Sequence, residues 1–203
     1  MDLLTTAPAW VLARATGAVL LVLLTVVTAL GVATASGLRA VGVPRFAVQL
    51  LHRDAALLAV VLLALHVVLV VTDPAVDVGP LAAVLPLASG YAPVAVGLGA
   101  LALDVLLAVV VTSLLRVRLG LRAWRAVHLL AYAAWPLALV HGLAAGTDGT
   151  APWMLAVDAA CAVLLTGALL VRLRTRAERA VTLPPSRTAP RAARPVASAG
   201  ALR

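Results

Sequence analysis

The four histidines of this chain form two pairs, and each pair lies inside a long apolar stretch. His52 and His66 are fourteen positions apart and His128 and His141 thirteen, which is about 20 Å along a helix. Each helix therefore carries one imidazole toward either face of a bilayer whose hydrocarbon core is about 30 Å thick. Two such helices side by side offer two imidazole couples, one above the other, which is the ligand set for two stacked six-coordinate haems.

The composition is typical of a membrane protein. The chain has 203 residues, of which 64% are hydrophobic and 12% are charged, and its mean hydropathy is +1.10, whereas soluble domains average about 25% charged residues. Its net charge of +8 comes from arginines at the ends of apolar stretches and in the C-terminal segment. The positive-inside rule explains this placement better than nucleic-acid binding does. Because Cys161 is the single cysteine, a disulfide framework and a thiolate metal site are excluded.

Five stretches are long and apolar enough to cross a bilayer, and they lie at about residues 10–35, 46–72, 91–115, 121–146 and 153–171. The sequence therefore predicts an all-α integral membrane bundle of five transmembrane helices. Arginines gather at one end of these helices, at Arg39, Arg45, Arg53, Arg116, Arg118, Arg122, Arg125, Arg172, Arg174, Arg176 and Arg179. The opposite end carries Asp2, Asp73, Asp77 and Asp148. We expect a multi-pass protein of the inner or plasma membrane, with its N-terminus outside and its C-terminus in the cytoplasm.

The domain organisation follows from a change in composition after the fifth stretch. We expect residues 1–174 to form the membrane domain and residues 175–203, rich in Pro, Ala, Ser and Arg, to form a disordered basic cytoplasmic tail. No glycine-rich phosphate loop occurs, so we expect no flavin or nicotinamide domain in the chain.

The predicted topology pairs the histidines by depth. The second and fourth stretches run in the same direction, so His52 and His128 form a cytoplasmic couple and His66 and His141 an outer couple. Thirteen residues leave His128 and His141 about 140° apart on an ideal helix. Pro136 lies between them, and a kink there would realign His141. The alternative is that the histidines are polar packing residues that hydrogen-bond between helices.

The spacing His-x13-His on one helix and His-x12-His on the next but one resembles the ferric reductase-like transmembrane domain. The segment Arg122-Ala-Trp-Arg125-Ala-Val-His128-Leu-Leu-Ala-Tyr132 is similar to that family's entry to its second haem helix. The family includes ferric reductases, NADPH oxidases and the haem-binding membrane subunit of the bacterial methionine sulfoxide reductase system. The resemblance covers about residues 10–172 and implies two haem b groups (iron protoporphyrin IX), with His52 paired with His128 and His66 with His141.

Two departures from the family shape the expected partners. Members often have six helices, whereas we expect five in this chain. Many members also carry a cytoplasmic FAD and NAD(P)H domain, which we do not expect here. We therefore expect a separate cytoplasmic flavin-dependent reductase, or another donor, to supply electrons to an unknown extracytoplasmic acceptor.

Four arginines are candidates for contact with haem propionates, since a guanidinium fork suits a carboxylate. They are Arg14 at the outer end and Arg53, Arg122 and Arg125 at the cytoplasmic end. The alternatives are that Arg14 extends to the lipid headgroups and that the other three only fix topology.

Several aromatic and small residues have simpler expected roles. We interpret Trp10, Trp124 and Trp153 as interfacial anchors. Gly17, Gly31, Gly97 and Gly99 either make room for porphyrin or let helices approach.

The sequence thus favours transmembrane electron transfer, with this chain as the haem-binding membrane component of an oxidoreductase. We expect the protein to contact membrane lipid and not nucleic acid. Two alternatives stay open. One is a small transporter or proton-handling protein without haem, using Asp104, Asp158 and the histidines. The other is a membrane anchor subunit of a redox complex.

Overall fold

The computed structural model describes residues 8–36, 44–74 and 76–182, and within these the chain is helical with no strands. A short 3-10 helix, Pro80–Ala83, lies between the second and third α-helices. The α-helices are α1 (Pro8–Ser36), α2 (Arg45–Thr72), α3 (Pro93–Leu114), α4 (Arg116–His128), α5 (Ala131–Ala145) and α6 (Pro152–Thr182). The all-α prediction is confirmed. Asp2, Arg39 and residues 183–203 of the predicted tail lie outside the described residues.

Four of these helices, α1, α2, α3 and α6, are each long and apolar enough to cross a membrane. The pair α4 and α5, bent by 42° at a short break, meets the same test when its two parts are taken together. The described residues thus hold up to five spans, in agreement with the prediction. Helices are the expected form here, since lipid offers no hydrogen-bond partner to an open backbone.

The helices pack as two pairs joined through α1. Helix α2 packs along α1, α5 packs along α3, and α1 also contacts α5 and α6. A buried cluster joins α1, α5 and α6 through Leu21, Leu24, Trp135, Met154, Cys161 and Leu165. In contrast, no residue of α2 is fully buried. Helix α2 therefore leaves a space between itself and α5.

The segment between α2 and α3 covers one end of the bundle. Val76, Val78 and Ala82 of this segment are buried against Trp10 of α1 and Val96 of α3. We call residues 76–92 the capping loop. Its apolar contacts hold it on the ends of the helices.

Pro136, at which the sequence predicts a kink, lies inside α5. The chain changes direction earlier, between α4 and α5, directly after His128. Amide N–H groups there bond to carbonyls three residues back, as from Tyr132 to Leu129 at 3.2 Å. Such bonds tighten the turn relative to an α-helix and so change the angular relation between His128 and His141. Pro136 adds to the disturbance because it cannot bond to the Tyr132 carbonyl.

A second break lies within α4, at Gly120. Its φ of 78° and ψ of 159° are not helical, so the continuous helix that carries His128 begins at Leu121. This is the residue at which the sequence predicts the fourth span to begin. Glycine permits this backbone conformation because it has no Cβ.

Helix α6 continues past the predicted end of the fifth span, through the first residues assigned to the tail, to Thr182. Residues 172–180 are mostly Arg, Ala, Leu and Glu, which favour helix in water as well as in lipid. The first helix breakers are Pro184 and Pro185.

Candidate cofactor site

The four histidines form two facing pairs at two depths of the bundle. The imidazole centroids of His52 and His128 are 6.3 Å apart, with their planes at 71°. Those of His66 and His141 are also 6.3 Å apart, with their planes at 89°. We call these the first-level and second-level pairs. The structure therefore brings together the residues that the sequence pairs.

Three of the four imidazoles are fixed by a backbone carbonyl. The Nδ1–carbonyl distances are 2.9 Å from His52 to Val27, 2.9 Å from His66 to Ala13 and 2.8 Å from His141 to Ala95. Because a carbonyl can only accept, Nδ1 must carry the hydrogen in each ring. Nε2 then keeps its lone pair, which is the arrangement that a metal-ligating histidine requires.

A glycine lies one helical turn beyond each of these three carbonyls and contacts the same ring. A Cβ at Gly17 would lie 3.1 Å from the His66 ring, one at Gly31 3.3 Å from the His52 ring and one at Gly99 2.7 Å from the His141 ring. The side chain of any other residue would therefore push the imidazole away from its carbonyl. These three glycines make room for histidine, whereas Gly97 lets α3 approach the capping loop at Leu87.

His128 is held differently. Its Nδ1 is buried and has no hydrogen-bond partner among the described residues. Instead, the ring lies against the indole of Trp124, with centroids 5.0 Å apart and planes tilted by 30°. The indole Nε1 of Trp124 donates to Ser113 Oγ at 3.2 Å. Trp124, predicted as an interfacial anchor, thus contacts a candidate ligand.

One cavity of about 1730 Å³ runs between α2 on one side and α3 and α5 on the other, and all four histidines lie on its wall. Its volume exceeds the roughly 300–1,000 Å³ of ordinary ligand pockets. The wall is mostly apolar and includes Gly17, Gly31 and Gly99. The cavity thus offers two histidine pairs to one or more large, apolar ligands.

The donor set and its spacing fit haem. A transition metal binds an imidazole nitrogen at about 2 Å, so two rings of radius about 1.1 Å on opposite sides of one metal have centroids about 6 Å apart. Among the described residues no group of three or more His, Cys, Asp or Glu side chains is placed to hold a metal ion by itself. A pair of imidazoles would therefore need a group that brings its own further metal ligands, and a porphyrin is such a group.

Arg14 is tied into the bundle near the second-level pair. Its Nη2 lies 2.7 Å from Asp148 Oδ2, and its Nη1 donates to Thr147 Oγ1 at 2.6 Å. The Arg14 side chain is only 20% exposed. It therefore joins α1 to the turn that follows α5, and its pairing with Asp148 differs from the alternative in which it extends to the headgroups.

The other predicted arginines lie at the first-level end. Arg53 and Arg125 are exposed and line the cavity, whereas Arg122 is exposed and is not part of the cavity wall. Arg53 is 3.6 Å from Asp54. Three further arginines border the same end of the cavity, namely Arg116, Arg172 and Arg176. Of these, Arg172 donates to the Tyr132 hydroxyl and lies over its ring.

Residues 16–139 match the family described as ferric reductase like transmembrane component. The chain belongs to the ferric reductase-like transmembrane family. The match includes His52, His66 and His128 and ends at residue 139, shortly before His141. Comparison with curated proteins and with solved structures finds no match. Family membership indicates a multi-pass membrane protein with a part in transmembrane electron transfer.

Three features of this ferric reductase-like chain could not be predicted from the positions of the histidines in the sequence. They are the carbonyl anchors, the glycine contacts and the stacking of Trp124 on His128. One signal is visible in the sequence, since Gly17 and Gly31 have the same fourteen-residue spacing as His52 and His66. Helices α1 and α2 pack along each other in opposite directions. Equal spacing therefore puts Gly17 opposite His66 and Gly31 opposite His52.

Proposed function

We propose that this protein carries electrons across the membrane through two b haems, one held by His52 and His128 and the other by His66 and His141. The observation that supports this most directly is the equal 6.3 Å separation of the two imidazole pairs on one apolar cavity. Two protein ligands per iron leave no open position, which favours electron transfer over binding of a substrate at the metal.

In this proposal the protein binds the two haems, orients their histidine ligands and surrounds them with apolar side chains. The carbonyls of α1 and α3 fix three imidazoles with Nε2 available, and the cavity wall around both levels is mostly apolar. When bound, haem supplies a one-electron carrier at each level. The capping loop covers the second-level end of the bundle, so we expect the acceptor to meet the protein outside this loop.

The direction of transfer follows from charge. Arginines concentrate at the first-level end, so by the positive-inside rule that end faces the cytoplasm and the second-level end faces outward. We propose that Arg53 and Arg125, on the cavity wall, bind propionates at the first level. Arg14 acts mainly through Asp148 at the second level. A cytoplasmic flavin-dependent reductase is the proposed donor, and the acceptor is extracytoplasmic.

Electron transfer in sealed proteoliposomes tests the proposal. Vesicles would contain the full chain and trapped ferricyanide, and dithionite would be added outside. We expect ferricyanide to be reduced with the wild-type chain and not with His66→Ala or His128→Ala, since each variant lacks one level. Reduction at the wild-type rate in both variants would contradict a path through both pairs.

Proton handling without haem is the second candidate, and Asp158 favours it. This residue is 6% exposed, and neither carboxylate oxygen has a hydrogen-bond partner among the described residues. Intramembrane acids of this kind often carry protons. The purified protein would then be colourless, whereas the haem proposal requires a pigment.

A further inference from the structure

The four histidine positions are related by a repeat in the helices that support them. On α1, the carbonyl of Ala13 and the glycine at 17 are followed fourteen residues later by the carbonyl of Val27 and the glycine at 31. Each such unit holds one imidazole. A repeat of the same length on α3 would supply one unit for His141 and one for His128.

The first unit on α3 is present, and the second is altered. Ala95 and Gly99 hold His141. Fourteen residues later stand Val109 and Ser113, so a serine occupies the glycine position. The Ser113 hydroxyl donates to the Val109 carbonyl at 2.6 Å, and Thr112 donates to the same oxygen at 3.3 Å. Two hydroxyls thus bond to the carbonyl at this position, whereas the Ala13 carbonyl that anchors His66 accepts from one hydroxyl, that of Thr16 at 2.9 Å.

Trp124 connects this altered unit to the histidine. Its Nε1 donates to Ser113 Oγ at 3.2 Å, and its ring lies on the His128 ring at a centroid distance of 5.0 Å. Trp124 and Ser113 both line the cavity beside His128. Aromatic contact thus takes the place of a carbonyl hydrogen bond in orienting the fourth imidazole.

We propose that Trp124, braced by Ser113, is the positioning residue of His128, and that His128 is the weakest electron donor among the four imidazoles. This inference rests on the proposed haem function. A hydrogen bond from Nδ1 to a carbonyl raises the basicity of a ligating imidazole, and His128 lacks such a bond among the described residues. A less basic ligand stabilises ferric iron less. The first-level midpoint potential is therefore higher than a carbonyl-anchored His128 would allow.

The test uses the full chain in nanodiscs and follows the first-level haem alone. The first-level signal is defined as the low-spin ferric EPR signal that the His128→Ala variant lacks. Trp124→Leu removes the stacked ring, whereas Trp124→Phe keeps a ring and loses only the bond to Ser113. Trp153→Leu is the matched control, because Trp153 is exposed and lies at the second-level end.

We expect Trp124→Leu to lose most of the first-level low-spin signal and to make that haem reactive with carbon monoxide, while Trp124→Phe keeps the signal. Trp153→Leu should leave the first level unchanged. An unaltered first-level signal and midpoint potential in Trp124→Leu would overturn the inference while leaving the haem proposal intact. Wild-type protein without haem would overturn both.

Ser113→Gly provides an independent test of how His128 is positioned if the Trp124→Leu variant does not fold. This substitution puts a glycine at the position and leaves Thr112 as the one hydroxyl on the Val109 carbonyl, as Thr16 is on the Ala13 carbonyl that anchors His66. His128 can then approach α3. We expect the first-level midpoint potential to fall while the second-level potential stays constant. A first-level potential equal to that of the wild type would contradict the proposed role of this unit.

Discussion

The Nδ1 of His66 lies 2.9 Å from the carbonyl oxygen of Ala13, a bond that fixes the imidazole of α2 against the backbone of α1. Gly17, one turn further along α1, contacts the same ring and permits this approach. The same combination of carbonyl and glycine recurs at His52 and His141. The orientation of these three histidines is therefore set by helices α1 and α3, which carry no histidine themselves.

Adding a methyl group at these glycines should displace the histidines in a graded way. The Cβ of Gly99→Ala would lie 2.7 Å from the His141 ring, against 3.1 Å for Gly17→Ala at His66 and 3.3 Å for Gly31→Ala at His52. We expect Gly99→Ala to lose most of the second-level haem and Gly17→Ala to lose part of it, whereas Gly31→Ala should lose the smallest share, from the first level. Haem content per protein, measured by pyridine haemochrome, checks the order.

Gly167→Ala is the matched control, because Gly167 lies on an exposed face of α6 outside the cavity wall and a Cβ there would contact nothing within 4 Å. Alanine is also the better helix former by about 1 kcal/mol. We therefore expect full haem content and unchanged or slightly higher stability. Equal haem content in Gly99→Ala and Gly167→Ala would show that close contact with the ring does not matter.

The haem lost on histidine substitution should depend on which of the two levels loses a ligand, and not on which helix carries the substitution. His66→Ala, His141→Ala and the double variant should each lose about half of the haem, because all three remove the second-level pair. His52→Ala combined with His66→Ala should lose nearly all of it, since both levels then lack a ligand. Haem retained at full content in the His66→Ala variant would contradict the pairing.

The ion pair of Arg14 and Asp148 should contribute to stability at the second-level end. Both side chains are largely buried, at 20% and 27% exposure, and their closest atoms are 2.7 Å apart. We expect Arg14→Gln or Asp148→Asn to lower the free energy of unfolding by about 1–3 kcal/mol, since each leaves one charge unpaired. Thermal melting in nanodiscs measures the effect.

A double-mutant cycle separates this ion pair from general damage. The combined Arg14→Gln and Asp148→Asn variant leaves no unpaired charge, so its loss should be smaller than the sum of the single losses. Strictly additive losses would indicate that the two side chains do not interact in the membrane.

The imidazole planes predict a spectroscopic signature. They cross at 71° in the first-level pair and at 89° in the second-level pair. Nearly perpendicular ligand planes make two d orbitals of ferric iron almost equal in energy, which gives highly anisotropic low-spin EPR signals. We expect such signals from both levels, and an ordinary rhombic spectrum from either would show that its planes are close to parallel.

The main architecture could be predicted from the sequence because the length of each apolar stretch identifies a membrane helix and the arginines at its ends indicate its direction. The helices and the pairing of His52 with His128 and of His66 with His141 follow from those signals. The extension of α6 could have been predicted as well, since residues 172–180 favour helix and no proline occurs before Pro184.

The angular position of His128 could not be predicted, because it depends on a break that no residue type announces. The turn after His128 contains two leucines, Leu129 and Leu130, and the nearest helix breaker, Pro136, lies inside α5. The break satisfies tertiary packing instead of local preference. The stacking of Trp124 on His128 and the bond to Ser113 likewise depend on the packing of α4 on α3.

The most direct measurement is the haem-to-protein ratio of the purified full chain, together with its dithionite-reduced minus oxidised spectrum. We expect two haem b groups per chain, both low-spin, with the α and Soret bands typical of bis-histidine ligation. Protein that is folded, colourless and unable to take up added haemin would contradict it, and so would a single haem that survives substitution of all four histidines.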